Sequence, residues 1–225
     1  GYIIKNIETE VKKGFNRIAW RFDRNSIPVA GQVQRTGQEQ AQSERMQRFT
    51  GRRVLPGLYT VKMTYNGSSA TAKARILSDP RLPATDTVAM KKNFRRGNEI
   101  SAKITDLNKL YATFTECGTT ITKNDEMVAK SHSFAESVKD FHPAFKNKYQ
   151  ALDRNLSGRE GGLFQRINAS RVLFTATGPL DEKQEKTVSE AVEALEEAMR
   201  LLNDFISNDW PGYQKNLSEK SVPAV

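Results

Sequence analysis

Large apolar residues alternate with small or polar ones between residues 54 and 76, and this period of two predicts a pair of β-strands. The dipeptide Asn66-Gly67 separates them and favours a type I′ turn, because both of its residues need positive φ. That turn would place bulky residues of one strand opposite small residues of the other on a single face: Tyr65 with Ser68, Met63 with Ala70, Val61 with Ala72 and Tyr59 with Ala74. We therefore predict a tight β-hairpin with one apolar face and one polar face.

Residues 2–8 are rich in β-forming types, and residues 15–22 again alternate, so both segments are predicted to be strands. The neighbours of Trp20 at a spacing of two are apolar, which favours a core position between two sheets. By contrast, residues 28–53 are polar and glutamine-rich and show no period. We predict a long loop there.

Beyond Pro83 the period changes to alternating steps of three and four residues, which predicts helices. A first helix carries the stripe Ile100, Ile104, Leu107, Tyr111 and Phe114. The second is expected to begin near Asn124, to be kinked by Pro143 and to end at Ser157. A third covers residues 163–175, a fourth begins near Asp181, and residues 210–213 are predicted to cap the set.

Together these patterns predict an α+β chain of two segregated modules. Residues 1–82 are expected to form a β-sandwich, with the long loop at about 28–53. Residues 83–225 are expected to form an antiparallel bundle of three or four helices.

The net charge of +9 lies entirely in the first module. Residues 1–81 hold 15 basic and 6 acidic residues, and the remainder holds 20 of each. A basic module can bind an anionic partner, although solvated strand faces beside an acidic neighbour explain the same excess. The candidate anion-binding residues are Arg17, Arg21, Arg45, Arg48, Arg52 and Arg53.

The sequence contains no recognisable catalytic, cofactor-binding or metal-binding motif. His132 and His142 have no His or Cys at ligand spacing, and both are expected at the surface or rim of the bundle. The single Cys117 excludes an internal disulfide and is read as a small apolar residue near a helix end. No apolar run is long enough to predict a membrane span.

Four segments resemble the C-terminal region of bacterial sortilin-like proteins, also described as BNR-repeat "glycosyl hydrolase" β-propellers. They are residues 14–22 (GFNRIAWRF), 56–63 (PGLYTVKM), 66–67 and 79–81 (DPR). The family has Gly-x-Asn-Arg-x-x-Trp-Asp-Leu-Arg and Pro-Gly-x-Tyr-x-Val-x-Leu strands, followed by an Asp-Pro-Arg exit into long helices. Its β-module is similar to the immunoglobulin-like domain of flagellar hook-capping proteins, so the resemblance implies an immunoglobulin- or fibronectin III-like sandwich for residues 1–82. This chain departs from the pattern at residues 20–22 and in the glutamine-rich insertion.

The resemblance implies a non-catalytic accessory or interaction module of a larger protein exported to the periplasm or cell surface. Its expected partner is an upstream β-propeller of the same polypeptide, or else another exported protein or a polysaccharide. The propeller signature Ser-x-Asp-x-Gly-x-x-Trp is missing, so any ligand-binding face of the family is expected upstream of Gly1. The alternative is a module that binds an anionic polymer, polysaccharide or nucleic acid, although nucleic acid is not the expected partner. A glycoside hydrolase in its own right is the least favoured reading.

Overall fold

The structure is a computed structural model, and it describes residues 3–26, 28–32, 51–78, 80, 87–158 and 161–220. Four strands occur in these ranges: β1 (Asp23–Ser26), β2 (Gly51–Arg53), β3 (Gly57–Tyr65) and β4 (Ser68–Ile76). They form two separate antiparallel ribbons, β1 with β2 and β3 with β4.

Helices make up most of the remaining described residues. The first, α1, runs through 44 residues from Thr87 to Lys130. It is followed by α2 (His132–Val138), α3 (His142–Ser157) and α4 (Leu163–Asn168), and α4 continues into a 3-10 helix, Ala169–Phe174. Finally, α5 (Glu182–Asp204) passes through a π-helical turn (Phe205–Asp209) into α6 (Trp210–Lys220).

The predicted immunoglobulin- or fibronectin III-like sandwich, and with it the α+β fold class, is wrong. A sandwich needs two facing sheets, whereas each described sheet has two strands and residues 3–21 form no strand. Phe15 and Ile18 are exposed at 92% and 47%. Phe22 has a positive φ of 56°, which an extended strand does not accommodate. Alternation in residues 15–22 therefore does not bury these side chains between sheets.

The helices share one apolar core, and the predicted stripe on α1 faces it. Leu107 and Phe114 of α1 are fully buried, as are Leu195 and Leu202 of α5. The predicted start of α5 is confirmed, because Asp181 is its N-cap and forms a capping box with Gln184. The second predicted helix was expected to end at Ser157, and α3 does end there.

Three helix boundaries differ from the prediction. Asn124 does not start a helix, because α1 continues to Lys130. Pro143 lies in the first turn of α3, where its missing N–H needs no partner, instead of kinking a helix. Residues 210–213 continue the last helix, and the wide π-helical turn directly precedes Pro211, whose ring clashes with a regular α-turn.

Residues 29–31 are fixed to the helices by two asparagine side chains. Asn168 accepts from the N–H of Ala30 at 2.9 Å and donates to its carbonyl oxygen at 3.3 Å. Asn108 accepts from the N–H of Gly31 at 3.0 Å and donates to the carbonyl oxygen of Val29 at 2.9 Å. The beginning of the predicted long loop is thus held against the helical core by hydrogen bonds. The predicted end of the loop is wrong, because Gly51–Arg53 form strand β2, and residues 33–50 lie outside the described residues.

Candidate docking surface

The hairpin β3–β4 has the predicted register throughout. Tyr65 pairs with Ser68, and the remaining predicted pairs are all present: Met63–Ala70, Val61–Ala72 and Tyr59–Ala74. Asn66 and Gly67 have φ values of 47° and 77°, as a type I′ turn requires. The sequence therefore predicts this element residue by residue.

The apolar face of the hairpin is largely exposed. Val61, Met63 and Tyr65 expose 46%, 59% and 58% of their surface, and the small residues opposite them are also exposed. At the base of the hairpin, Tyr59 donates to the carbonyl oxygen of Leu55 at 2.6 Å, and Trp20 meets its ring edge-to-face at 5.7 Å. The base is thus packed, while the face towards the turn lies open.

Trp20 does not lie between two sheets as predicted, but it does organise the base of the hairpin. It is half-buried, its ring contacts Phe22 and Tyr59, and its Nε1–H donates to the carbonyl oxygen of Asp23 at 2.8 Å. The Asp23 carboxylate in turn pairs with Lys5. These contacts connect the N-terminal segment to β1 and β3.

The opposite face of the hairpin is polar and basic. Lys62, Lys73 and Arg75 are exposed there, and Lys73 Nζ donates to Thr60 Oγ1 at 3.0 Å. Three further hydroxyl residues lie on the same face: Thr64, Ser69 and Thr71. The three cations of the hairpin therefore lie on the face opposite Val61, Met63 and Tyr65, and Leu58, opposite Arg75, is the one large apolar residue of β3 and β4 on that face.

Of the six predicted anion-binding arginines, Arg17 and Arg21 are exposed in the N-terminal segment. Arg45 and Arg48 lie outside the described residues, and for Arg52 and Arg53 the description covers only the backbone of β2. Whether the six converge on one face stays a prediction. The basic residues Lys62, Lys73 and Arg75 were not singled out from the sequence, although their alternation with Tyr59, Val61 and Met63 places them on one face.

A second cluster of polar side chains is buried where α1, α3 and α6 meet. His142 is 2% exposed; its Nδ1 lies 2.7 Å from Tyr213 Oη, and its Nε2 lies 3.0 Å from Asp125 Oδ1. Asn124 donates to Tyr213 Oη at 2.8 Å, and Lys146 pairs with Asp125 at 2.8 Å. The expected rim position of His142 is therefore wrong, whereas His132 is exposed as expected.

The Nε2–H tautomer of His142 satisfies every hydrogen bond of this cluster. Because Tyr213 Oη already accepts from Asn124, its own proton is best donated to Nδ1 of His142. Nε2–H then donates to Asp125. Although burial opposes ionisation, hydrogen bonds from Lys146 and His142 lower the pKa of Asp125 below its usual value.

This Tyr–His–Asp arrangement has the connectivity of a proton relay but not the accessibility of an active site. Tyr213 is only 2% exposed, and burial, the largest cause, raises its pKa above the usual value. A substrate would have to reach a hydroxyl that is enclosed by helices and already occupied by two partners. The cluster therefore fits a structural role that fixes α6 against α1 and α3.

Cys117 lies within α1, well before its end, and is 4% exposed. Burial is the main cause that raises the pKa of its thiol to about 11. Such a thiol is a poor nucleophile at neutral pH. The described residues contain no group of three or more His, Cys, Asp or Glu side chains that could hold a metal ion.

The chain matches no protein-family model, and no curated protein or solved structure is significantly similar to it. The resemblance to the sortilin-like propeller proteins therefore stays a prediction. In the described part of the chain, every helix is too short or too polar to span a lipid bilayer.

Proposed function

We propose that this chain is a non-catalytic interaction module and that the apolar face of the β3–β4 hairpin is its docking surface. The observation that carries the proposal is the exposure of Val61, Met63 and Tyr65 on a ribbon of two nine-residue strands. A two-stranded hairpin alone is marginally stable in water and needs a third strand or a packed face. Trp20 supplies such packing at the base of the hairpin, where its ring meets Tyr59.

The energetic gain from covering this face is substantial. Fully burying an apolar side chain of this size contributes roughly 1.5–3 kcal/mol, so covering the exposed halves of three residues contributes roughly 2–4 kcal/mol. The alanines of β4 leave shallow space beside the bulky row of β3, which suits the side chains of a second sheet.

The partner in this proposal is a β-propeller domain of the same polypeptide, and the module is exported with it to the periplasm or cell surface. This part rests on the resemblance of residues 14–22, 56–63 and 79–81 to the C-terminal region of such proteins. Catalysis or ligand binding by the larger protein would then belong to the propeller.

Hydrogen exchange tests the docking surface. The experiment compares residues 1–225 alone with a longer polypeptide that also contains the proposed β-propeller. Amides of β3 and β4 are expected to exchange more slowly in the longer polypeptide, because docking suppresses local opening. Met63→Lys should abolish this extra protection, since it places a charge in the interface.

Thr64→Lys is the matched control, because it introduces the same side chain at the next residue on the opposite face. It should leave the protection unchanged. Equal exchange of the hairpin in the long and short polypeptides, or equal effects of the two lysines, would contradict the proposal.

A further inference from the structure

The polar face of the hairpin carries positive charge only. Lys73 and Arg75 follow each other at a spacing of two on β4, about 7 Å apart. Lys62 pairs with Thr71 and is therefore diagonal to Lys73, about 7–8 Å away. Residues 51–78 contain no Asp or Glu. We propose that Lys62, Lys73 and Arg75 form a binding site for an anionic polysaccharide.

The three cations are available for a ligand. They are exposed, and no carboxylate among the described residues pairs with any of them. The contact of Lys73 with Thr60 is made to a neutral hydroxyl and leaves further ammonium protons for an anion.

The side chains between the cations suit a sugar chain. Thr60, Thr64, Ser69 and Thr71 alternate with the basic residues on this face and are exposed. Hydroxyl groups both donate and accept hydrogen bonds, as sugar hydroxyls do, while Lys and Arg bind sulfate or carboxylate groups. Nine-residue strands give the face a length of about 30 Å, enough for several sugar units of an extended chain.

The distribution of apolar residues favours a polysaccharide over two other polyanions. Single-stranded nucleic acid is bound by aromatic side chains that stack on its bases, but Tyr59 and Tyr65 lie on the other face. A lipid surface would need several apolar side chains beside the cations, and Leu58, opposite Arg75, is the one large apolar residue that β3 and β4 place on this face. The site is independent of the proposed function, because docking of the apolar face leaves the basic face uncovered.

The test compares two triple variants of the full chain. The first is Lys62→Gln, Lys73→Gln, Arg75→Gln. The second, Lys91→Gln, Lys92→Gln, Arg95→Gln, removes the same three charges from exposed positions of α1 and so lowers the net charge of +9 equally. The probes are dextran sulfate, uncharged dextran of the same length and a single-stranded oligo(dT), titrated calorimetrically, with thermal denaturation confirming that both variants fold.

The wild type should bind dextran sulfate but not dextran, and raising the salt from 50 to 200 mM should weaken binding roughly twenty- to fortyfold if the three cations each neutralise one anionic group. The hairpin variant should lose about tenfold or more in affinity, and the α1 variant less than about threefold. Equal losses in both variants would show attraction by net charge alone and overturn the site. Tighter binding of oligo(dT) than of dextran sulfate, or no binding of either, would overturn the ligand class.

Discussion

Replacing Gly118 by alanine tests how closely α1 and α3 are packed. A Cβ atom at residue 118 would lie 2.0 Å from Oη of Tyr149 and 2.4 Å from its Cζ, well inside van der Waals contact. The Tyr149 ring cannot move away freely, because it stacks on Phe114 at 4.4 Å and also contacts Phe205. The substitution must therefore displace a packed aromatic ring.

Gly212 supplies a matched control. It also lies in a helix, α6, but it is exposed and a Cβ atom there would meet nothing within 4 Å. In both helices alanine gains about 1 kcal/mol over glycine in helix propensity. Overpacking costs typically about 1–3 kcal/mol, and the 2.0 Å approach at Gly118 places this site at the upper end.

We therefore expect Gly118→Ala to lower the free energy of unfolding by about 1–2 kcal/mol and Gly212→Ala to raise it by about 0.5–1 kcal/mol. Urea denaturation followed by circular dichroism measures both values, provided that the slope with urea is unchanged.

A double-mutant cycle assigns the cause. In a Tyr149→Ala background the ring is gone, so Gly118→Ala should become neutral or stabilising, although Tyr149→Ala itself destabilises the protein. The reasoning is refuted if Gly118→Ala is as stabilising as Gly212→Ala, or if it destabilises equally with and without the Tyr149 ring.

Three further predictions concern buried and charged groups. Tyr213→Phe should lower the free energy of unfolding by about 1–3 kcal/mol, because it leaves a buried amide and a buried imidazole without their partner; a change below about 0.5 kcal/mol in urea titrations would count against it. The hydrogen bonds from Arg96 lower the pKa of Glu185, so their stabilisation is present above the unfolded pKa of about 4.5 and is lost as the pH falls through the lower folded value. Glu185→Gln should therefore be less stable than the wild type at pH 7, by about 0.3–1 kcal/mol, and the difference in the free energy of unfolding should shrink as the pH falls below about 4.5. The thiol of Cys117 should react with Ellman's reagent at pH 8 only on unfolding; stoichiometric reaction within minutes in native buffer would show that this part of α1 opens.

The hairpin and the core stripe of α1 follow directly from the sequence, because local rules determine both. Asn66-Gly67 specifies one turn and one register, and the spacing from Ile100 to Phe114 specifies one buried helix face. Local rules do not determine how distant segments pack against each other. Alternation in residues 15–22 indicates which side chains share a side of an extended chain, but not whether a second sheet covers them, and so the sandwich prediction failed.

The buried His142 cluster was missed for a related reason. The sequence predicts one helix from Asn124 to Ser157, and in a regular helix His142 lies beside the apolar stripe of Phe141 and Phe145 instead of within it. The helix breaks at residues 131 and 139–141 change which face of α3 is turned towards the core. The π-helical turn has the same effect on α6. A signal was present in Pro143, which is favoured in a first helical turn. Nothing local indicated that Asn108 and Asn168 would hold residues 29–31.

The contacts that hold β1 and residues 29–31 in place are made by described residues on both sides of the chain. Ser26 lies opposite Gly51 in the β1–β2 ladder, and Asn108 and Asn168 hold the backbone of residues 29–31 against the helices. Because these hydrogen bonds, and the stacking of Arg24 on Phe94 of α1, all involve residues N-terminal to residue 33, β1 should stay attached to the helices even when the chain is cut between residues 33 and 50.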